Sequence, residues 1–353
     1  MKEISRLIIN WFHQNKRPLP WREGEKSAYH ILLSEIILQQ TRIEQGLPYY
    51  IKIAEDFPTI ETLATADEEL LLRYWQGLGY YSRARNLHTT AKNIVANFNG
   101  VIPCTYSELK KMKGIGAYTA AAIASIVFDE PVPVVDGNVM RVVARLFDIK
   151  EPVNGKEGKN KILDCLNIFF DDKQPGIFNE AIMEFGALQC VPANPNCNKC
   201  PLRNYCTAFK LSKVHVLPTK KTTKDVKIRY LNYLFLLIDE KYTIMKQRRH
   251  NDIWRNLYEF PLIETEQPVT ETELCKPAFW TSITGNQKNI SFKKTFQYQH
   301  KLTHRLLKVT FTVASITSFN DTNDYFLMPL SEAENKPKPV LIAKFIKSMI
   351  HNE

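Results

Sequence analysis

The sequence predicts an all-α domain followed by a smaller α/β domain, and three observations lead there. Residues 1–209 carry a succession of segments with helical apolar spacing, separated by turn clusters. Residues 229–316 switch to β-rich, roughly alternating segments. Between them, residues 210–228 (KLSKVHVLPTKKTTKDVKI) are rich in Lys and Thr, have little apolar pattern, and are expected to form a basic linker. A chain of 353 residues is too long for one small core and about right for two domains.

In chain order, the first stretch, MKEISRLIINWFHQ, mixes charged and apolar residues as an amphipathic helix does, and lacks the build of a signal peptide. Helices are expected at 28–41, 67–76, 84–97, 117–128, 138–147, 158–170 and 177–189. FPTI, GLGYY, NGVIP, KGIG and EPVPVVDGN punctuate them. The richest apolar stretch, AAAIASIVF at 120–128, is a buried helix rather than a membrane span, which needs about 18 such residues. No membrane association is expected, and a cytosolic monomer is. The linker either touches the phosphates of a polyanionic partner or is an ordinary solvated loop. RYLNYLFLLI, YTIMKQ, FKKTFQYQH and LLKVTFTVAS are expected strands of a second domain over 229–350, closed by a helix near 339–350.

The net charge of +10 favours a polyanionic partner. Seven cysteines, an odd number, argue against a disulfide framework in a reducing compartment. Cys190, Cys197, Cys200 and Cys206 form C-x6-C-x2-C-x5-C, and four thiolates in one loop suit zinc or an iron–sulfur cluster. Zinc loops usually pair two CxxC units across a longer spacer, whereas here one CxxC has a single cysteine on each side. This spacing, over residues 190–206, resembles the cluster loop of the endonuclease III superfamily of DNA glycosylases, which implies a [4Fe–4S] cluster. Cys104, Cys165 and Cys275 are scattered and are expected to be packing residues.

Residues 109–119, LKKMKGIGAYT, place Gly114 and Gly116 between two helical segments, with Lys110, Lys111 and Lys113 alongside. Glycines allow a sharp turn and close approach to a phosphate, and the following helix start is an anion site. The segment looks like a helix–hairpin–helix, which grips the DNA backbone without reading sequence. A lone GxG also serves as a common helix C-cap.

Glu35, in ILLSEIILQQT, shares a helix face with Ile31 and Leu38. Apolar neighbours should raise its pKa and make it a proton donor near neutral pH. Asp136, in VVDGN, is a favoured N-cap for a helix beginning near Gly137 or Asn138. The same carboxylate could also stabilise a developing sugar cation, as in two-carboxylate glycoside hydrolysis.

SEIILQQT, GLGYYSRARNLH, KGIGAYTAAAI, VVDGNVMRV, NEAIMEFGALQC and the cysteine loop together resemble the adenine DNA glycosylase (MutY) family, in order, over most of residues 17–206. The resemblance implies a helix–hairpin–helix glycosylase domain that acts on double-stranded DNA with adenine opposite 8-oxoguanine or guanine. It implies that Glu35 protonates the leaving adenine and that Asp136 stabilises the sugar cation. Tyr118 and Asn138 would support these two by hydrogen bonds. Gln40 and Tyr80 would wedge into the duplex, and Arg17, Trp21 and Glu180 would line the base pocket. Lyase-competent relatives carry a lysine where this chain has Tyr118, and a phenol cannot form the imine. Little strand-cleaving activity is therefore expected.

Residues 229–350 resemble the Nudix-like C-terminal domain of the same family, with IWRNLYEFP matching its pattern. The segment after Pro261 has no Arg-Glu…Glu-Glu run for magnesium, so no pyrophosphatase activity is expected. The family's Phe-Ser-His lesion-reading turn corresponds to Leu302, Thr303 and His304, with the aromatic replaced by leucine. Two other readings remain: an endonuclease III-like glycosylase for oxidised pyrimidines or thymine mismatches, and an iron–sulfur DNA-binding sensor or electron carrier. Glu35, Tyr118 and the long second domain argue against the first. The pairing of Glu35 and Asp136 with a basic hairpin argues against the second.

Overall fold

The computed structural model describes residues 2–221, 226–284, 290–302, 304–317, 319 and 324–350. Contacts divide the chain into two units, Met1–Thr65 with Asn86–Thr222, and Ala66–Arg85 with Thr223–Glu353. Among the described residues no helix is long and apolar enough to cross a membrane.

The helical part comprises α1 (Lys2–Asn15), α2 (Ala28–Leu38), α3 (Ile43–Asp56), α4 (Ile60–Thr65), α5 (Glu68–Tyr74), α6 (Ser82–Phe98), α7 (Tyr106–Leu109), α8 (Ala117–Phe128), α9 (Gly137–Phe147), α10 (Lys156–Asn167), α11 (Pro175–Leu188) and α12 (Thr207–Lys210). One core of the first unit joins Ile4, Ile8 and Phe12 of α1 to Val139, Val142 and Val143 of α9 and Phe178, Ile182 and Phe185 of α11. Helix α8 is buried on nearly every side, as its unbroken apolar sequence requires. Helix α2 begins where Ser27 Oγ accepts the His30 backbone N–H at 3.4 Å.

The sequence reading missed α3 and α4. Gly46 and Pro48 are residues that disfavour a helix, yet both lie inside α3. A Cβ on Gly46 would stand 2.7 Å from Leu38 Cδ2, so glycine is what lets α3 lie close against α2. Packing has overridden propensity. The helix expected over 28–41 ends at Leu38, because Gln40 turns to φ +57°. Cys104 is exposed, so it does not pack as expected, whereas Cys165 and Cys275 are partly buried. The described part of the basic segment, 210–221, is pinned to the first unit. Arg145 Nε donates to Leu217 O (3.0 Å), the Val153 N–H to Thr219 O (3.0 Å), and Lys213 pairs with Asp148 (2.9 Å).

The second unit holds β1 (Lys227–Ile238), β2 (Tyr242–Gln247), β3 (Tyr258–Glu259), β4 (Leu262–Thr265), β5 (Ser291–Lys301), β6 (Arg305–Ile316) and β7 (Phe326–Pro329), with α13 (Glu271–Leu274), α14 (Thr281–Thr284), α15 (Leu330–Asn335) and α16 (Val340–Ile350). Sheet order is β3-β2-β1-β6-β5, with β4 also on β1 and β7 on β2. Among the described residues only the β1–β6 pair is parallel. The four long strands coincide with the four β-rich segments read from sequence, while the short β3, β4 and β7 carried too little pattern to be seen.

Strand β1 is buried on both faces, which explains its continuous apolar run. Leu231, Tyr233 and Phe235 meet α16 through Phe345, which stacks on Phe311 at 4.2 Å. Leu234, Leu236 and Ile238 meet Leu274, Trp280 and Ile283 on the other side. Strands β5 and β6 pair antiparallel, and at the end of the pair the Leu302 N–H donates to Arg305 O at 2.8 Å.

Candidate active site

Glu35 sits on α2 among the buried residues Ile31, Leu32, Ser34 and Ile36. Burial pushes its carboxyl up to about 7, against a hydrogen bond from the Tyr118 phenol that favours the charged form. Asp136, Arg22 and Glu180 also act on this carboxyl electrostatically, so residues from α2, α8, α9 and α11 and the segment before α2 converge on it. Tyr118 lies in the first turn of α8, its hydroxyl 3.5 Å from Met183 Sδ. Burial and the two nearby carboxylates hold its pKa well above the usual phenol value, so it stays a neutral donor.

Asp136 caps α9. Its Oδ1 accepts the Val139 N–H at 2.7 Å, and its Oδ2 accepts Asn138 Nδ2 at 2.7 Å. Burial raises its pKa, while these two hydrogen bonds and Arg141 favour the carboxylate. Asn138 in turn accepts from Arg141 Nη2 at 2.9 Å. The same guanidinium donates to Gly186 O (2.6 Å) and Cys190 O (2.7 Å). Arg141 thus joins the Asp136–Asn138 pair to the start of the cysteine loop.

The residues expected in the base pocket form an ion-pair array that sequence reasoning only partly anticipated. Trp21 is buried edge-on against Tyr50, with ring centroids 4.8 Å apart. Arg17 donates its backbone N–H and two guanidinium N–H groups to Glu184. Arg22, missed from sequence, bridges Glu180 (3.0 Å) and Glu184 (3.3 Å). Burial would raise Glu184, but Arg17 and Arg22 hold it down at about 2. The one sequence signal for Arg22 is its adjacency to Trp21. Its partners lie about half the chain away.

In the hairpin, Gly114 has φ +83°, and a Cβ there would stand 2.6 Å from Asn86 Cβ, so that position demands glycine. A Cβ on Gly116 would meet nothing within 4 Å. Gly116 starts α8 without a side-chain cap, and Lys110, Lys111 and Lys113 are exposed. Gln40 and Tyr80 are both exposed and both in the left-handed region, φ +57° and +48°, a conformation uncommon outside glycine. The Arg83 guanidinium lies over both the Tyr80 ring (5.5 Å) and the Trp75 ring (5.4 Å).

Cys190, Cys197, Cys200 and Cys206 line one small cavity together with Arg145 and Arg203. Among the described residues no three His, Cys, Asp or Glu side chains group as a single metal ion would need. Arg145 Nη1 points at Cys190 Sγ (3.4 Å) and donates to Val191 O (2.8 Å). Burial pushes the Cys200 thiol up to about 12. In the second unit, Leu302 is partly buried and packs on the sheet core, while His304 is exposed and its carbonyl accepts the Lys227 N–H at 3.3 Å. Thr303 lies outside the described residues.

Residues 33–164 match the HhH-GPD superfamily of base excision DNA repair proteins, and residues 233–348 match the NUDIX domain. The chain is 33% identical over 355 residues to the adenine DNA glycosylase of Buchnera aphidicola subsp. Baizongia pistaciae (strain Bp), covering 98% of this chain and 97% of that one. It is 38% identical over 209 residues to the Homo sapiens adenine DNA glycosylase, covering 57% of this chain and 38% of that one. A thermostable thymine-DNA glycosylase shares the helical fold, with a TM-score of 0.52 at 23% identity over 60% of this chain and 96% of that one. Likeness along nearly the whole of both chains, through the helical domain and the sheet domain alike, means that this chain belongs to the adenine DNA glycosylase family of base excision repair enzymes.

Proposed function

We propose that the chain excises adenine paired with 8-oxoguanine or guanine in double-stranded DNA, by hydrolysis of the N-glycosidic bond and with little strand cleavage. The observation that carries this reading is the enclosed acid. Glu35, held near pKa 7 beside a second carboxylate, can give a proton to the departing adenine ring nitrogen. Asp136, with Asn138 and the Val139 N–H fixing its two oxygens, supplies negative charge to the sugar cation that forms as the bond breaks. Tyr118 orients Glu35 without competing for the proton. Trp21 and Glu180, with Arg22 and Arg17 behind them, wall the pocket that receives the base.

A base inside the duplex must first leave the stack, at a cost of a few kcal/mol. Gln40 and Tyr80 are the wedges that offset it. Each is kept in a backbone conformation costing about 1–3 kcal/mol, of the kind that persists at functional sites. Gly114, Gly116 and Lys113 hold the DNA backbone at the open start of α8. The 302–304 turn of the second unit reads the base opposite adenine.

The four cysteines suit a [4Fe–4S] cluster, because they surround a cavity instead of meeting at one point, with Arg145 beside one sulfur to balance thiolate charge. Cys190, Cys197, Cys200 and Cys206 would hold it. When bound, it supplies a rigid anionic centre that fixes the 190–206 loop, to which Arg141 ties Asn138 and Asp136. Purified protein should be yellow-brown with about four irons per chain. Stoichiometric zinc without iron in anaerobically prepared protein would remove this assignment.

The reading as a whole is tested by base release from duplexes with one defined mispair. Adenine should leave from opposite 8-oxoguanine and guanine. Release of thymine or an oxidised pyrimidine, with adenine untouched, would replace it by the endonuclease III-like alternative. Tyr118→Lys should gain an imine at the abasic product that borohydride traps, because an amine then stands beside Glu35 and Asp136. A folded variant that binds product DNA and yields no adduct would count against Tyr118 lying at the reacting sugar.

A further inference from the structure

The second unit has a cavity of about 490 Å³ bounded by the 77–82 segment, the β5–β6 turn and a third wall, Asp252–Trp254. That third wall belongs to no motif of the lesion-reading turn. Leu302, where the family's turn carries an aromatic, offers no π-face, and both it and Trp254 pack in part on the sheet core. Trp254, at the same cavity, is partly buried and holds φ +63°, a left-handed conformation that bulky residues rarely adopt. Resting on the reading that this unit recognises the base opposite adenine, we infer that Trp254 supplies the aromatic contact to the oxidised purine that residue 302 does not.

The turn carrying Trp254 is anchored from both sides. The Asp252 carboxylate accepts from Arg229 (2.8 Å), Arg248 (3.2 Å) and Arg305 (2.8 Å). Arg305 directly follows the lesion turn, so one carboxylate ties two walls of the cavity together. Arg248 Nε also donates to Ile253 O at 3.1 Å, and the Leu257 N–H donates to Trp254 O at 3.0 Å. A turn held this firmly loses little backbone freedom when a base stacks on the ring it carries. Stacking by itself accepts any base. Its effect here is to seat the purine in the cavity beside Leu302 and His304, so that the groups there meet positions 7 and 8, the two atoms that differ between guanine and 8-oxoguanine.

The test measures affinity of the full chain for duplexes in which a non-hydrolysable 2′-fluorinated adenine nucleotide faces 8-oxoguanine or guanine, at one salt concentration. Trp254→Ala should lower the preference for 8-oxoguanine about tenfold, and Trp254→Phe, which keeps a π-face, should hold it within about twofold. His304→Ala serves as the comparison. If His304→Ala lowers the preference and Trp254→Ala does not, the inference about Trp254 fails and the lesion reading stands. If neither does, the lesion reading itself fails. Thermal melting reports folding. Should Trp254→Ala melt early, Trp254→Phe against Trp254→Leu decides: loss with Leu alone supports the contact, and equal behaviour overturns it.

Discussion

Glu35→Gln is expected to keep mispair binding and to lower single-turnover adenine release by about 10²–10⁴-fold, the usual range for a lost general acid. Glutamine preserves size and hydrogen bonding to Tyr118 but has no proton to give. The pH dependence follows from the same group. Burial raises the Glu35 pKa from 4.5 to about 7, so the donor form is present below that pH and disappears above it. Release by the native chain should fall as pH rises through about 7, and the residual activity of Glu35→Gln should lack that limb. The linkage also has a sign for stability. The folded state holds this proton more tightly than the unfolded chain, so the contribution is full below 4.5 and is lost as pH rises through about 7. Glu35→Gln, neutral throughout, should therefore melt higher than the native chain at pH 8, with the difference vanishing near pH 5. Near-native release rates in the variant would end the assignment of Glu35 as the acid.

The second large effect is expected from Asp136→Asn. Asparagine caps a helix about as well as aspartate, so the Val139 N–H stays satisfied and the melting temperature should change little. The negative charge beside the sugar is lost, and removal of one preorganised electrostatic group costs about 10²–10³ in rate. Single-turnover release should drop by that order in a variant that melts normally and still binds the mispair. If release survives while stability falls, Asp136 is a cap and nothing more. Asparagine has a single acceptor oxygen, so keeping the Val139 N–H costs the bond from Asn138 Nδ2, and the Arg141 bond is what then holds Asn138 in place.

Several parts of this site could be read from the sequence because short stretches of chain determine them. The N-cap at Asp136 is a bond between residues three apart, and the structure has it at 2.7 Å. The glycine turn before α8 and the cysteine spacing are likewise written within a few residues. Glu35 was recognisable because its helix is apolar around it, and solvation penalises a charge wherever that helix packs. The four long strands of the sheet declared themselves by composition.

Other features depended on elements distant in sequence. Arg22 meets Glu180 across 158 residues of chain, and Arg17 meets Glu184 across 167, pairings that no local pattern encodes. Helix α3 carries a glycine and a proline that signal a turn, and only its contact with α2 makes a helix there the stable choice. Arg141 could have been one more cation on an amphipathic helix until packing brought the Gly186 and Cys190 carbonyls to it. The Asp252 clamp and the cavity beside Trp254 arise from strands whose order in the sheet differs from their order in the chain. Caps, turns and ligand spacings are short-range and so are fixed by sequence alone, whereas ion pairs and cavities form between groups that only the closed fold makes neighbours.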